Sequence, residues 1–199
     1  MAATVFLIRH AAHDRVGSTL CGRMPGVTLG DHGRRQAAAL AERLAGEAID
    51  VVYSSPLERA WETAASIAAR LGLVPQDCPA MAEIDFGDWT GRTFESLDGD
   101  PDWTRWNEAR ASSRVPGGES MAEAQARAVD EVERLRRAHP EGRIAVVSHC
   151  DVIKAVLAHV LGMSLDGLQR FEISPASVST LAVWDGGAKV LGMNEAVAA

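Results

Sequence analysis

The stretch Val5-Phe6-Leu7-Ile8-Arg9-His10 decides the fold. Its four consecutive apolar residues predict a strand that is buried on both faces, as strands are in parallel sheets. Open parallel sheets bind ligands just beyond the carboxyl ends of their strands. The stretch therefore predicts a cleft with Arg9 and His10 at its rim, a cation beside a candidate nucleophile.

Two later segments repeat this pattern of an apolar strand that runs toward an ionisable residue. Residues 49–53 predict a second buried strand, and the serine–proline pair that follows predicts a helix over residues 56–71 with Arg59 in its first turn. Residues 143–148 predict a third buried strand, which leads directly into His149. We therefore expect both ionisable residues at the same edge of the sheet as the first stretch.

The alternation of strands and helices predicts an α/β fold, a three-layer α/β/α sandwich with a mostly parallel sheet. A glycine-rich turn after Trp184 predicts a late hairpin at the sheet edge, from residues 177–184 to residues 189–193. We expect a single domain over residues 1–199, with a small cap inserted at about residues 92–115. The further helices that the apolar spacing predicts cover residues 31–44, 101–111, 121–138 and 151–161.

Composition argues against several classes of protein. The chain has 199 residues, is 47% hydrophobic and carries a net charge of −7, which disfavours nucleic acid and anionic membranes as partners. No segment approaches the roughly 20 apolar residues that span a bilayer, and the N-terminus lacks the basic start of a signal peptide. Cys21, Cys78 and Cys150 are odd in number and form no CxxC pair, which indicates a reducing compartment and no zinc site. We expect a cytoplasmic protein without metal, nucleic-acid or membrane partners, and leave its oligomeric state open.

The residues at the predicted sheet edge suit phosphoryl chemistry. The two guanidinium groups of Arg9 and Arg59 bind a phosphate well, and the neutral imidazole of His10 is a competent nucleophile toward phosphorus. His149, if protonated, adds positive charge around the phosphate oxygens. Glu83, in a loop rich in glycine and aromatic residues, is the candidate acid for the leaving oxygen, because apolar neighbours raise the pKa of a carboxyl group.

Five blocks of sequence follow one another in a characteristic order, residues 7–10, 54–64, 83–91, 117–120 and 146–149. In this order they resemble the histidine phosphatase superfamily, which includes the cofactor-dependent phosphoglycerate mutases, and the resemblance covers nearly the whole chain. It implies that His10 is the phosphorylated nucleophile, that Arg9, Arg59 and His149 form the phosphate pocket, and that Glu83 is the proton donor. It also implies a phosphatase without cofactor or metal that hydrolyses a small phosphorylated metabolite through a phosphohistidine.

The long loop of residues 11–30 departs from the family's pattern at two positions. His13 stands where the family usually has Ser or Thr, and Val16 where it often has Asn, so two polar contacts to the phosphoryl group are missing. His13 is the candidate substitute donor. Loops of this length inside a compact domain are usually functional. The candidate substrate-binding residues are therefore Arg9, Arg59, His13, Cys21 and Gly22.

Asp151, beside His149, stands where the family favours a small residue. An acid there disfavours a second anionic group, and the cap at residues 92–115 holds more acids than arginines. The arginines from Arg127 onward lie on or after the helix over residues 121–138, where we expect a solvated face. These observations favour the short phosphatase branch of the family. Phosphoglycerate-mutase-type phosphoryl transfer and a non-catalytic phospho-ligand-binding protein remain the alternatives.

Overall fold

The computed structural model describes residues 2–196. Its strands form one six-stranded sheet with the order β3-β2-β4-β1-β5-β6. The strands are β1 (Ala3–Arg9), β2 (Val51–Ser54), β3 (Gln76–Asp77), β4 (Arg143–Ser148), β5 (Val178–Trp184) and β6 (Gly187–Glu195). The first four pair in parallel, whereas β5 is antiparallel to both β1 and β6. The predicted α/β fold with a mostly parallel sheet and a late edge hairpin is confirmed.

Six α-helices accompany the sheet: α1 (Asp31–Leu44), α2 (Glu58–Leu71), α3 (Phe94–Leu97), α4 (Pro101–Glu108), α5 (Met121–Ala138) and α6 (Cys150–Val160). The bounds of α1 and α5 agree with the prediction, but α2 begins two residues later than expected. Leu57 takes the N-cap position, and the hydroxyl of Ser55 accepts a hydrogen bond from the Leu57 amide at 3.3 Å. Arg59 still lies in the first turn of α2.

Alternate residues of β1 face opposite sides of the sheet. Phe6 and Ile8 belong to a buried cluster with the apolar faces of α1 and α2, while Val5 and Leu7 belong to a second cluster with α5 and α6. Helices therefore cover both sides of the sheet, and the three-layer arrangement is confirmed. Burial on both faces keeps β1 rigid, so the residues at its carboxyl end are held in place.

The segment of residues 92–115, which we call the cap segment, contains α3 and α4. Trp106 of α4 is fully buried and packs edge-to-face against Phe86 and Trp89, with ring centroids 6.1 and 6.2 Å apart. The side chain of Asp100 accepts hydrogen bonds from the first amides of α4 and so fixes the start of that helix. The cap segment is thus attached to the rest of the molecule by aromatic packing.

Across residues 2–196, every helix is either too short or too polar to span a lipid bilayer.

Candidate active site

Three neighbouring strands deliver the predicted site residues to one edge of the sheet. Arg9 at the end of β1 is in register with Ser148 at the end of β4. His10 and His149 directly follow these two strands, and Arg59 arrives from the first turn of α2, which follows β2. The parallel pairing of these strands therefore places the four side chains together, as the sequence pattern predicts.

A cavity of about 160 Å³ opens at this edge. The predicted candidates that line it are Arg9, His10, His13, Cys21, Gly22, Arg59 and Glu83. The remaining candidate, His149, is fully buried and lies against the cavity wall, with its ring centroid 5.1 Å from that of His10. The structure thus brings all eight candidates into one place.

The hydrogen bonds of His10 determine which of its ring nitrogens carries the hydrogen. Its Nδ1 lies 2.8 Å from the carbonyl oxygen of Ala11, and because a carbonyl only accepts, Nδ1 carries the hydrogen and donates it. Nε2 therefore holds the lone pair, and it accepts a hydrogen bond from Nε of Arg59 at 3.3 Å. Burial, together with the positive charges of Arg59 and Arg9, lowers the pKa of His10 well below its usual value. The imidazole is therefore neutral near pH 7.

Arg59 lines the cavity and is almost fully buried. Its Nη2 donates to the carbonyl oxygen of Gly22 at 2.8 Å and to Nδ1 of His149 at 3.3 Å. Its Nη1 is buried and has no hydrogen-bond partner among the described residues. A buried guanidinium with a free donor is a ready binding group for an oxyanion.

His149 is neutral in this structure. Because Arg59 donates to Nδ1, the hydrogen of the ring lies on Nε2, which donates to the hydroxyl of Ser55 at 2.7 Å. Burial and the nearby Arg59 charge lower the pKa of His149 well below its usual value. In this structure the positive charge next to His149 is that of Arg59.

Glu83 lies beside this histidine, with Oε2 3.8 Å from Nδ1 of His149 and a side chain that is only 14% exposed. Its Oε1 accepts a hydrogen bond from the amide of Ile84 at 3.0 Å. Burial, reinforced by the negative charge of Asp151, raises the pKa of Glu83 to about 7. Such a carboxyl group can both donate and accept a proton near neutral pH.

The family model described as "Histidine phosphatase superfamily (branch 1)" matches residues 5–196. This chain belongs to that superfamily. The fold, the family and the phosphatase activity that the five sequence blocks of this histidine phosphatase predict are therefore confirmed.

Named relatives of this histidine phosphatase act on small phosphorylated molecules. Phosphoserine phosphatase 1 of Hydrogenobacter thermophilus is 34% identical over 182 residues, which are 89% of this chain and 85% of the relative. Glucosyl-3-phosphoglycerate phosphatase of Mycobacterium tuberculosis is 33% identical over 171 residues, 80% of this chain and 76% of the relative. The native structure of a mycobacterial glucosyl-3-phosphoglycerate phosphatase superposes with a TM-score of 0.88 at 27% identity, covering 98% of this chain and 100% of that one.

The loop candidates of this histidine phosphatase have different surroundings. The ring of His13 stacks on that of His10 at 5.5 Å, and its Nδ1 accepts the amide hydrogen of Arg15 at 3.3 Å, so Nε2 carries a hydrogen that it can donate. Burial and Arg59 lower the pKa of His13 to about 4. Gly22 adopts φ +49°, which suits glycine, and its carbonyl oxygen accepts the hydrogen bond from Nη2 of Arg59.

The sequence did not predict the hydrogen bonds of Arg127, which we call the arginine clamp, to the segment that carries Glu83. Arg127 of α5 donates to the carbonyl oxygens of Ala80 at 2.6 Å and Glu83 at 3.3 Å, and it forms two hydrogen bonds with the carboxylate of Glu119. The expectation that Arg127 lies on a solvated helix face is wrong. The one sequence signal for this clamp is Glu119, which belongs to the fourth of the five blocks.

Asp151 also differs from the expectation. It lines the cavity, but its Oδ2 accepts a hydrogen bond from Nη1 of Arg110 at 2.8 Å. The arginine comes from the cap segment and is 6% exposed, whereas the side chain of Asp151 is 20% exposed. The acid beside His149 is therefore half of an ion pair and not an isolated negative charge.

Proposed function

We propose that this histidine phosphatase hydrolyses a small phosphomonoester by transferring the phosphoryl group to Nε2 of His10 and then to water. The observation that carries the proposal is the state of this nitrogen. It is neutral, it holds a lone pair, and it lies beside the buried guanidinium of Arg59 in the wall of the cavity. A nucleophile in this arrangement attacks phosphorus without first having to lose a proton.

The phosphoryl oxygens are bound by Arg9, by the free Nη1 of Arg59 and by Nε2–H of His13. A dianion next to His149 raises the pKa of that histidine, so it takes up a proton as the substrate binds and adds a further positive charge. These groups supply the charge compensation that a metal provides in other phosphatases. The reaction therefore needs no metal and no cofactor.

Glu83 moves the proton. In the first step the P–O bond to the leaving group breaks as the P–N bond to His10 forms, and protonated Glu83 gives its hydrogen to the leaving oxygen. In the second step the carboxylate of Glu83 takes a proton from water, the water oxygen attacks phosphorus, and the P–N bond breaks. Inorganic phosphate is released and both side chains return to their first state.

The substrate is a small phosphorylated metabolite, since the cavity holds about 160 Å³ and the named relatives act on phosphoserine and glucosyl-3-phosphoglycerate. The cap segment closes one side of the cavity through Phe94. A cytoplasmic location fits the free thiols of Cys21, Cys78 and Cys150.

Hydrolysis of p-nitrophenyl phosphate in the presence of EDTA tests the proposal. The wild-type protein should release phosphate, and His10→Ala should lower kcat/KM by about 10³-fold or more because the nucleophile is gone. His32→Ala, which removes an exposed histidine of α1, serves as the matched control and should retain activity. Activity of His10→Ala within tenfold of the wild type would refute the mechanism, as would a strict need for a divalent metal.

A further inference from the structure

The charges that line the cavity are unevenly distributed. The cations in the lining are the guanidinium groups of Arg9 and Arg59, and the acids are Glu83 and Asp151. Both guanidinium groups, together with His10, belong to the phosphoryl site, so the part of the substrate beyond the phosphate meets the two acids, Thr19 and apolar side chains. Asp151 has no part in the proposed proton transfer.

Asp151 is fixed in place from behind. Arg110, which binds its Oδ2, also donates to the side chain of Asn107 at 3.2 Å, and its guanidinium lies 5.5 Å from the ring centroid of Trp106. The arginine is buried and is not among the residues that line the cavity, whereas Asp151 lines it and its side chain is 20% exposed. The acidic member of the pair, Asp151, is therefore the one that lies at the cavity.

The other oxygen of Asp151, Oδ1, accepts no hydrogen bond from residues 2–196. The residue lies in the first turn of α6, where the helix dipole favours a negative charge. Its charge also reaches the catalytic centre, since it contributes to the raised pKa of Glu83. An ionised carboxylate with one uncommitted oxygen is a binding group for an ammonium or a hydroxyl.

We infer that Asp151 selects phosphomonoesters whose leaving group carries an ammonium or hydroxyl close to the phosphate, and that it discriminates against leaving groups with a second anion. This inference rests on the proposed function, because it concerns the leaving group of the same reaction. A cationic leaving group gains an ion pair with Asp151. An anionic leaving group meets the negative charge of Asp151 while both lining guanidinium groups are occupied by the phosphate.

Two small esters of similar size separate these cases. O-phosphoethanolamine carries an ammonium two carbons from the ester oxygen, and 2-phosphoglycolate carries a carboxylate at the corresponding place. Each is titrated as a competitive inhibitor of p-nitrophenyl phosphate hydrolysis, and the readout is the ratio of the two inhibition constants within one variant. Hydrolysis of p-nitrophenyl phosphate, the reporter reaction, tests the proposed function independently of this ratio of inhibition constants.

The wild type should bind O-phosphoethanolamine about tenfold or more tightly than 2-phosphoglycolate at low salt. Asp151→Asn keeps an acceptor oxygen for Arg110 and should shift the ratio by about tenfold toward the carboxylate. Asp102→Asn, which removes an exposed acid of the cap segment, should leave the ratio unchanged. If the single variant is unfolded, Asp151→Asn with Arg110→Gln removes both charges and gives the same test.

A ratio that stays within twofold of the wild-type ratio in the folded Asp151 variant overturns the inference, even when hydrolysis of the reporter is intact. A wild-type preference for the carboxylate overturns it as well. Loss of reporter hydrolysis in the wild type would instead remove the proposed function.

Discussion

Nδ1 of His10 donates a hydrogen bond to the carbonyl oxygen of Ala11, 2.8 Å away, and this bond determines which nitrogen can react. We predict that the phosphoenzyme carries its phosphoryl group on Nε2. Protein quenched in alkali, where phosphohistidine survives, can be digested and its adduct assigned by ³¹P and ¹H NMR. An Nδ1 adduct would show that the imidazole turns round during the reaction and would contradict the assignment.

The raised pKa of Glu83 predicts a pH dependence that differs between substrates. The pKa lies at about 7, and the carboxyl must be protonated to assist an alkoxide leaving group. With an alkyl ester, kcat should therefore fall as the pH rises through about 7. With p-nitrophenyl phosphate, whose leaving group departs unaided, the fall should be much weaker.

Replacement of the acid tests the same role directly. Glu83→Gln should lower kcat for alkyl esters by about 10²–10⁴-fold and abolish the fall above pH 7, with a smaller loss for aryl esters. Glu141→Gln, at an exposed position, is the matched control. Equal losses for alkyl and aryl esters would contradict the role of Glu83 as the acid that protonates the leaving oxygen in the first step.

Arg127 should act as a positioning residue through the carbonyl group of Glu83. Lysine cannot reproduce its bonds to two carbonyls and a carboxylate, so Arg127→Lys should lower kcat for alkyl esters by about tenfold while KM changes little. Arg134→Lys, an exposed arginine on the same helix, should have no such effect. A merely structural role would slow alkyl and aryl esters alike, which the comparison of the two substrates detects.

The sequence predicts the position of those site residues that lie at the end of a strand. Arg9 is the last residue of a buried strand, and His10 and His149 directly follow buried strands, so the apolar runs before them are sufficient to place them at one edge. Arg127 is different, because it lies 44 residues from Glu83 in the chain, on a helix face whose charges resemble those of any solvated surface. Its contact arises from tertiary packing, and no local spacing encodes it.

The ion pair of Asp151 escaped prediction for the same reason. Its partner Arg110 lies 41 residues away, at the end of a cap segment whose orientation depends on the burial of Trp106. Asp151 is visible in the sequence two residues after His149, but its ion pair with Arg110 is not. The predicted start of α2 is two residues too early, because Leu57 has an extended backbone and takes the N-cap position.

Packing of the cap segment can be measured as stability. Trp106 is fully buried against two other aromatic rings, so Trp106→Ala should lower the free energy of unfolding by about 3–5 kcal/mol. Urea titration followed by circular dichroism gives this value. Trp61→Ala, at a side chain that is 37% exposed, should cost much less. A loss below about 1 kcal/mol for Trp106→Ala would mean that the cap segment is not part of the cooperative core.

The arginines of the cap segment bear on the choice between hydrolysis and phosphoryl transfer. A mutase must hold a second anionic group and must be primed by a bisphosphate, which requires cations beyond the first phosphate site. Each cap arginine is instead paired with an acid: Arg92 with Asp100, Arg105 with Asp102, Arg110 with Asp151 and Arg114 with Glu123.

We therefore predict that phosphate release exceeds phosphoryl transfer. Using one cap arginine for a second phosphate would break an ion pair, and for Arg110 it would leave Asp151 unpaired in the cavity wall. The measurement compares release of inorganic phosphate from 3-phosphoglycerate with its conversion to 2-phosphoglycerate, with and without a bisphosphate primer. Conversion should stay below about a tenth of hydrolysis, since each cap arginine is already paired with an acid and is not available to retain the substrate while it turns round. Conversion that exceeds hydrolysis and depends on the primer would mean that the cap arginines exchange their acids for a phosphate.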